Sequence, residues 1–159
     1  MSRSLTIKNI KTLIEDFCGQ HLQINEVLKG DIFEIDLKKY VSGSYFIWDV
    51  VAINPTGENG LNYTIDLFVC DNVTDINNES NIVSVQNECS LICLDFAAYL
   101  QNYNAQTWQD EDKNIIARLE GNWNITPFEK RFDSLYGGAS MSLTIGSYFS
   151  YQRCKIPTN

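Results

Sequence analysis

The chain has 159 residues, 44% of them apolar and 20% charged, with a net charge of −8 and a pI near 4.5. Such a composition excludes a natively disordered chain, and it lacks the clustered Lys and Arg that wrapping nucleic acid demands. No apolar run approaches the ~20 residues of a membrane helix, and Met1–Leu5 leads into no apolar core, so neither a membrane span nor a secretion signal is expected.

The first element is a helix. Ile7, Ile10, Leu13, Ile14 and Phe17 recur at spacings of three and four and make one apolar stripe. Ser4 is the expected N-cap, and Gly19 the expected stop, giving a helix near Ser4–Cys18. Lys8, Lys11, Glu15 and Asp16 fall on the opposite face.

Strand patterns follow. Leu22, Ile24 and Glu26-Val27 make a short candidate, and Phe33, Ile35 and Leu37 alternate with Glu34, Asp36 and Lys38. Tyr45–Ile53 is continuously apolar and β-branched, which predicts a central strand. Pro55–Gly60 is a turn cluster ending in Asn59-Gly60, and Leu61, Tyr63, Ile65, Leu67 and Val69 alternate beyond it. Tyr45–Ile53 and Leu61–Cys70 therefore form the expected hairpin. Asp71–Asn81 is polar and reads as a loop.

A second helix is predicted near Ser84–Tyr103, with Val85, Cys89, Ile92, Cys93, Phe96 and Leu100 as its apolar stripe and Ser84 as N-cap. A loop from Asn102 to Lys113 holds the acidic knot Asp110-Glu111-Asp112. Asn114–Ile125 reads as a strand, Pro127–Ser134 begins as an extended or bulged segment, and Met141–Ile145 alternates and runs on to Tyr148. The expected core holds Ile10, Leu13, Phe17, Ile47, Val51, Ile65, Leu67, Ile92, Phe96 and Leu119. The order predicts a single α+β domain over residues 1–159, a mainly antiparallel sheet flanked by two amphipathic helices.

Chemistry-bearing residues are few. His21 is the only histidine, at a helix exit where a cap or a solvated residue is the commoner role. No Ser or Cys has a plausible His partner, so the usual nucleophilic triads are not expected. The odd count of five cysteines, without paired spacing, predicts reduced thiols and no zinc site. The Asn-x-Ser/Thr triplets at Asn62, Asn72, Asn78 and Asn124 read as chance in an Asn-rich chain. Asp31, Glu34 and Asp36 read as a solvated face, and Asp110–Asp112 lacks the glycine and spacing of a calcium loop. Gly137-Gly138 lacks the Lys-Ser/Thr of a phosphate loop and reads as a turn or a tight backbone approach. No catalytic residue, cofactor or metal is expected.

The layout resembles a phage family. The N-terminal amphipathic helix, the Tyr45–Ile53/Leu61–Cys70 pair and the helix beginning near Ser84 carry the resemblance. So do Phe128-Glu-Lys-Arg-Phe-Asp133, Gly137-Gly138-Ala139 with its alternating strand, and the close Cys154-x-Ile156-Pro157. Together they resemble the small tail-completion or tail-terminator proteins, and related neck-ring proteins, of tailed phages, especially the crAss-like phages that infect Bacteroides. The resemblance implies a structural virion protein: a homomeric ring of six or twelve copies at the head–tail junction or tail end, around the DNA channel. Implied partners are adjoining connector, portal or tail-ring proteins, with genomic DNA passing through unbound. Net negative charge suits such a lumen, since it denies the duplex phosphate anchors.

Within this reading one interface patch is expected on Tyr148, Phe149, Tyr151 and Ile156, in a C-terminal segment near 146–159, because aromatics anchor interfaces. The other is expected around Tyr40 and Tyr45, and Asp110, Glu111 and Asp112 face the channel or an adjoining ring. Two alternatives stand beside it, a non-viral α+β adaptor module that binds another protein and an enzyme working through carboxylates alone.

Overall fold

The computed structural model describes residues 5–31, 44–57, 60–75, 77–106, 117–131 and 136–148. Its elements run α1 (Ile7–Gln20), β1 (Glu26–Lys29), β2 (Tyr45–Thr56), β3 (Gly60–Asn72), α2 (Glu79–Gln106), β4 (Ala117–Arg131) and β5 (Tyr136–Tyr148). The fold is α+β. One five-stranded sheet has the order β1-β2-β3-β5-β4, antiparallel except for the β1–β2 pair. The last of the described strands, β5, lies between β3 and β4, so the chain passes through α2 and β4 before β5 fills the gap.

Strand alternation splits the sheet into two faces. One face presents Phe46 and Trp48 from β2, Ile65, Leu67 and Val69 from β3, and Met141, Leu143 and Ile145 from β5. Both helices cover this face. Ile10, Leu13, Ile14 and Phe17 enter the core from α1, and Cys89, Ile92, Cys93, Phe96 and Leu100 from α2. Phe17 is the joint between the layers, with ring contacts to Phe46, Phe96 and Tyr99 at 5.0–6.0 Å between centroids. Each fully buried large apolar side chain contributes about 1.5–3 kcal/mol.

The helix ends differ from the sequence expectation. Thr6, not Ser4, caps α1: its Oγ1 accepts from the Asn9 N–H, and Asn9 Oδ1 accepts from the Thr6 N–H, closing a capping box. Leu5 pins this end to the sheet, since its N–H donates to Ser147 Oγ and its carbonyl accepts from Tyr63 Oη. Gly19 does not stop the helix. The chain continues to Gln20 and leaves at His21, an extended residue whose N–H bonds back to Phe17 and Cys18. The second helix begins at Glu79, before the expected Ser84, because Asn78 offers both its carbonyl and its Oδ1 to the Asn81 N–H.

Three strand expectations change as well. Val51 is not a core residue. A bulge between Val50 and Ala52 makes it the extra residue, turned out at 52% exposure, while Val50 packs against the core. Leu22 is fully exposed, and the short strand starts at Glu26. The described parts of the expected strand at 114–125 and of the segment from Pro127 are one strand, β4 (Ala117–Arg131), irregular between Glu120 and Asn124 and between Phe128 and Arg131. Gly121, at φ +59°, supplies the left-handed residue of the first irregularity. The expected Phe33–Leu37 strand lies outside the described residues.

Candidate functional site

Among the described residues, two surfaces stand out once the core is assigned: the second face of the sheet and the outer face of α2. The second face has an apolar end and a polar middle. Tyr45, Ile47, Cys70, Phe128 and Tyr136 form a compact buried cluster, with Leu28 and Phe68 packed on it. Gly138 sits in the middle of that row, paired with Cys70 on one side and Phe128 on the other. It is the tight backbone approach that the sequence offered as one reading: a Cβ there would lie 2.0 Å from the Val69 carbonyl oxygen. Beyond the cluster the face turns polar across β3, β5 and β4. Asp66, Phe68, Asn124, Thr126, Ser140 and Ser142 line a shallow depression of about 160 Å³. Ser140 Oγ donates to the Thr126 carbonyl at 3.3 Å. The depression is well below the ~300 Å³ of a ligand pocket, and its hydroxyls have no imidazole beside them to activate a nucleophile.

The outer face of α2 is unusual for a surface helix. Its inward stripe is the expected one, but a second line runs along the opposite side. Ser84, Asn87, Leu91, Leu94, Ala98 and Gln101 are all exposed and spaced alternately by three and four. That is the spacing of a coiled-coil seam, apolar in its centre. Leu91 and Leu94 are 49% and 45% exposed. Glu88 and Asp95 follow Asn87 and Leu94 and flank the seam on one side; α2 holds no Lys or Arg.

The titratable groups fit structural roles. Cys18, Cys70, Cys89 and Cys93 are buried and free. Burial pushes the Cys18, Cys70 and Cys93 thiols up to about 12, and raises Cys89 as well, with Cys70 and Asp71 adding to it. Thiols held above their ordinary 9.0 by burial stay protonated at neutral pH, which makes them poor nucleophiles. His21 joins the helices: Nε2 meets Asp95 Oδ2 at 3.2 Å, while Nδ1 accepts from the Gln23 N–H. It is a cap and a tether. Among the described residues no group of three His, Cys, Asp or Glu could hold a metal ion. No described helix is long and apolar enough to cross a membrane.

Of the expected interface residues, Tyr45 is corrected. It is 1% exposed and packs edge-on against Tyr136 at 5.9 Å, because alternation from Phe46 turns it into the second cluster. Burial and the neighbouring Tyr136 hold its hydroxyl up at about 12. Tyr148 ends β5 opposite Gly60; its side chain, and Tyr40, Phe149, Tyr151 and Ile156, lie outside the described residues. So do Asp110, Glu111 and Asp112. The exposed seam of α2 is not among the sequence expectations, because the stronger inward stripe dominates the helix's periodicity. The heptad spacing of Leu91, Leu94 and Ala98 was the signal available. A scan against protein-family models and a search of curated proteins each find no match to this chain.

Proposed function

We propose that this chain is a structural virion protein, one subunit of a homomeric ring at the head–tail junction or tail end of a tailed phage. In this reading six or twelve copies surround the DNA channel and meet an adjoining connector, portal or tail ring. The genome passes without specific binding, and the protein has no catalytic duty and no cofactor. The sequence resemblance supplies the identity of the assembly. The observation that carries the subunit role is the outer seam of α2. A helix that is apolar on both sides, with Leu91 and Leu94 half exposed, suits a chain that packs against a neighbour. The net charge of −8 adds support, since an acidic lumen repels the duplex.

Native mass spectrometry of the full chain, with electron microscopy of the same sample, tests the reading. Closed annuli at an integral multiple of 18.1 kDa are expected. A chain that stays at one copy and instead joins an unrelated protein would support the adaptor alternative and sink the ring.

A further inference from the structure

We propose that the outer seam of α2 in one copy docks on the first two turns of α1 in the next, a head-to-tail contact between unlike surfaces. This rests on the ring reading and names the two patches that close it. The acids decide the choice of partner. Glu88 and Asp95 take the position beside the seam that pairs across a helix–helix contact; Asp95 meets His21 of its own copy at 3.2 Å, and α2 itself holds no Lys or Arg. Two α2 helices packed antiparallel would set these acids against their own copies. Like charges at such positions reject that pairing. An antiparallel α2–α2 pair is therefore disfavoured, and a different surface that is apolar and basic matches the seam better.

The N-terminal end of α1 has that chemistry. Ile7 is 42% exposed there, beside exposed Lys8 and Lys11. No acidic residue lies in its first turn, so the positive end of the helix dipole adds to the lysines. Lys11 meets Glu15 at 3.5 Å in a solvent-exposed pair that a stronger partner displaces easily. Among the other described cationic side chains, Lys29 meets Asp49 at 3.2 Å and Arg118 meets Glu120 at 2.6 Å. Ile7 would meet Leu91 and Leu94, with Lys8 and Lys11 opposite Glu88 and Asp95. Because the two patches are different, the contact repeats from copy to copy, and it closes into a ring when the rotation between copies divides a full turn.

Charge reversal in the full chain tests this. Glu88→Lys alone and Lys8→Glu alone are each expected to weaken self-association by about tenfold, read by sedimentation equilibrium, and the double variant to restore it. Both sites are exposed, and circular dichroism checks that each variant keeps its fold. Carbodiimide coupling of mixed light and heavy-isotope wild-type chains adds an independent readout, an intermolecular amide from Lys8 or Lys11 to Glu88 or Asp95. If the wild type assembles but the single reversals change nothing, or no such cross-link forms, the α2–α1 contact is wrong and the ring reading stands. Should Glu88→Lys tighten association, the interface is α2 on α2, and the contact is again wrong. A wild type that remains monomeric at millimolar concentration overturns the contact and the ring together.

Discussion

Gly138 offers the sharpest test of the packing, because one methyl group there has nowhere to go. Its position pairs with Cys70 in the centre of the sheet. An added Cβ would lie 2.0 Å from Val69 O, 2.8 Å from Cys70 Cα and 3.0 Å from Val69 C, all backbone atoms of β3. Ordinary contact begins at 3.4 Å, so the backbones of β3 and β5 would have to part locally to admit it. Overpacking of this kind costs about 1–3 kcal/mol. Separating the strands weakens roughly two ladder hydrogen bonds at about 1 kcal/mol each. Gly138→Ala should therefore lose about 3–5 kcal/mol, a large part of a typical domain's 5–15 kcal/mol. Gly19→Ala is the internal control. Nothing lies within 4 Å of a Cβ there, and the residue is inside α1, so the same substitution should stabilise by about 0.5–1 kcal/mol. Urea unfolding followed by circular dichroism and by fluorescence, with buried Trp48 as one reporter, measures both. A Gly138→Ala midpoint within about 0.5 kcal/mol of wild type would refute the close approach.

Thr6→Ala should cost about 0.5–2 kcal/mol by opening the capping box, whereas Ser4→Ala should leave the unfolding midpoint in place. Ile92→Ala should cost about 2–5 kcal/mol in the same assay, and Val51→Ala should stay within about 0.5 kcal/mol because that side chain is turned to solvent. The thiols at positions 18, 70, 89 and 93 should resist an aromatic disulfide reagent at pH 8 until denaturant is added; rapid labelling of any of these four in the native protein would contradict their burial. Their folded pKa values lie above the ordinary 9.0, so the native state holds these protons more tightly than the unfolded chain. Their contribution to stability is complete below pH 9 and is lost as pH rises toward about 12. The urea midpoint should therefore fall steadily above pH 9; a flat profile to pH 11 would contradict it.

Much of this fold is local, and local patterns were readable. Leu61–Val69 alternates strictly, and a period of two fixes both the strand and its two faces before any partner is known. The stripe from Ile10 to Phe17 likewise names the buried side of α1. The Asn59-Gly60 signal joined β2 to β3 correctly, since a hairpin is closed by its own turn. What tertiary structure decided is everything set by residues far apart. The bulge at Val51 moves one side chain from core to solvent, and no periodicity announces an inserted residue. Tyr45 looks like a surface aromatic until Tyr136, at the far end of the chain, packs against it. Placing β5 between β3 and β4 made Gly138 a backbone contact instead of a turn, and only that register gives the glycine its reason. The seam of α2 was written in the spacing of Leu91, Leu94 and Ala98, but a sequence cannot say which of two apolar lines on one helix faces the sheet. The larger residues Phe96, Ile92 and Leu100 took the inner side because they bury more surface there, and that left the narrower seam, with Glu88 and Asp95 beside it, facing out.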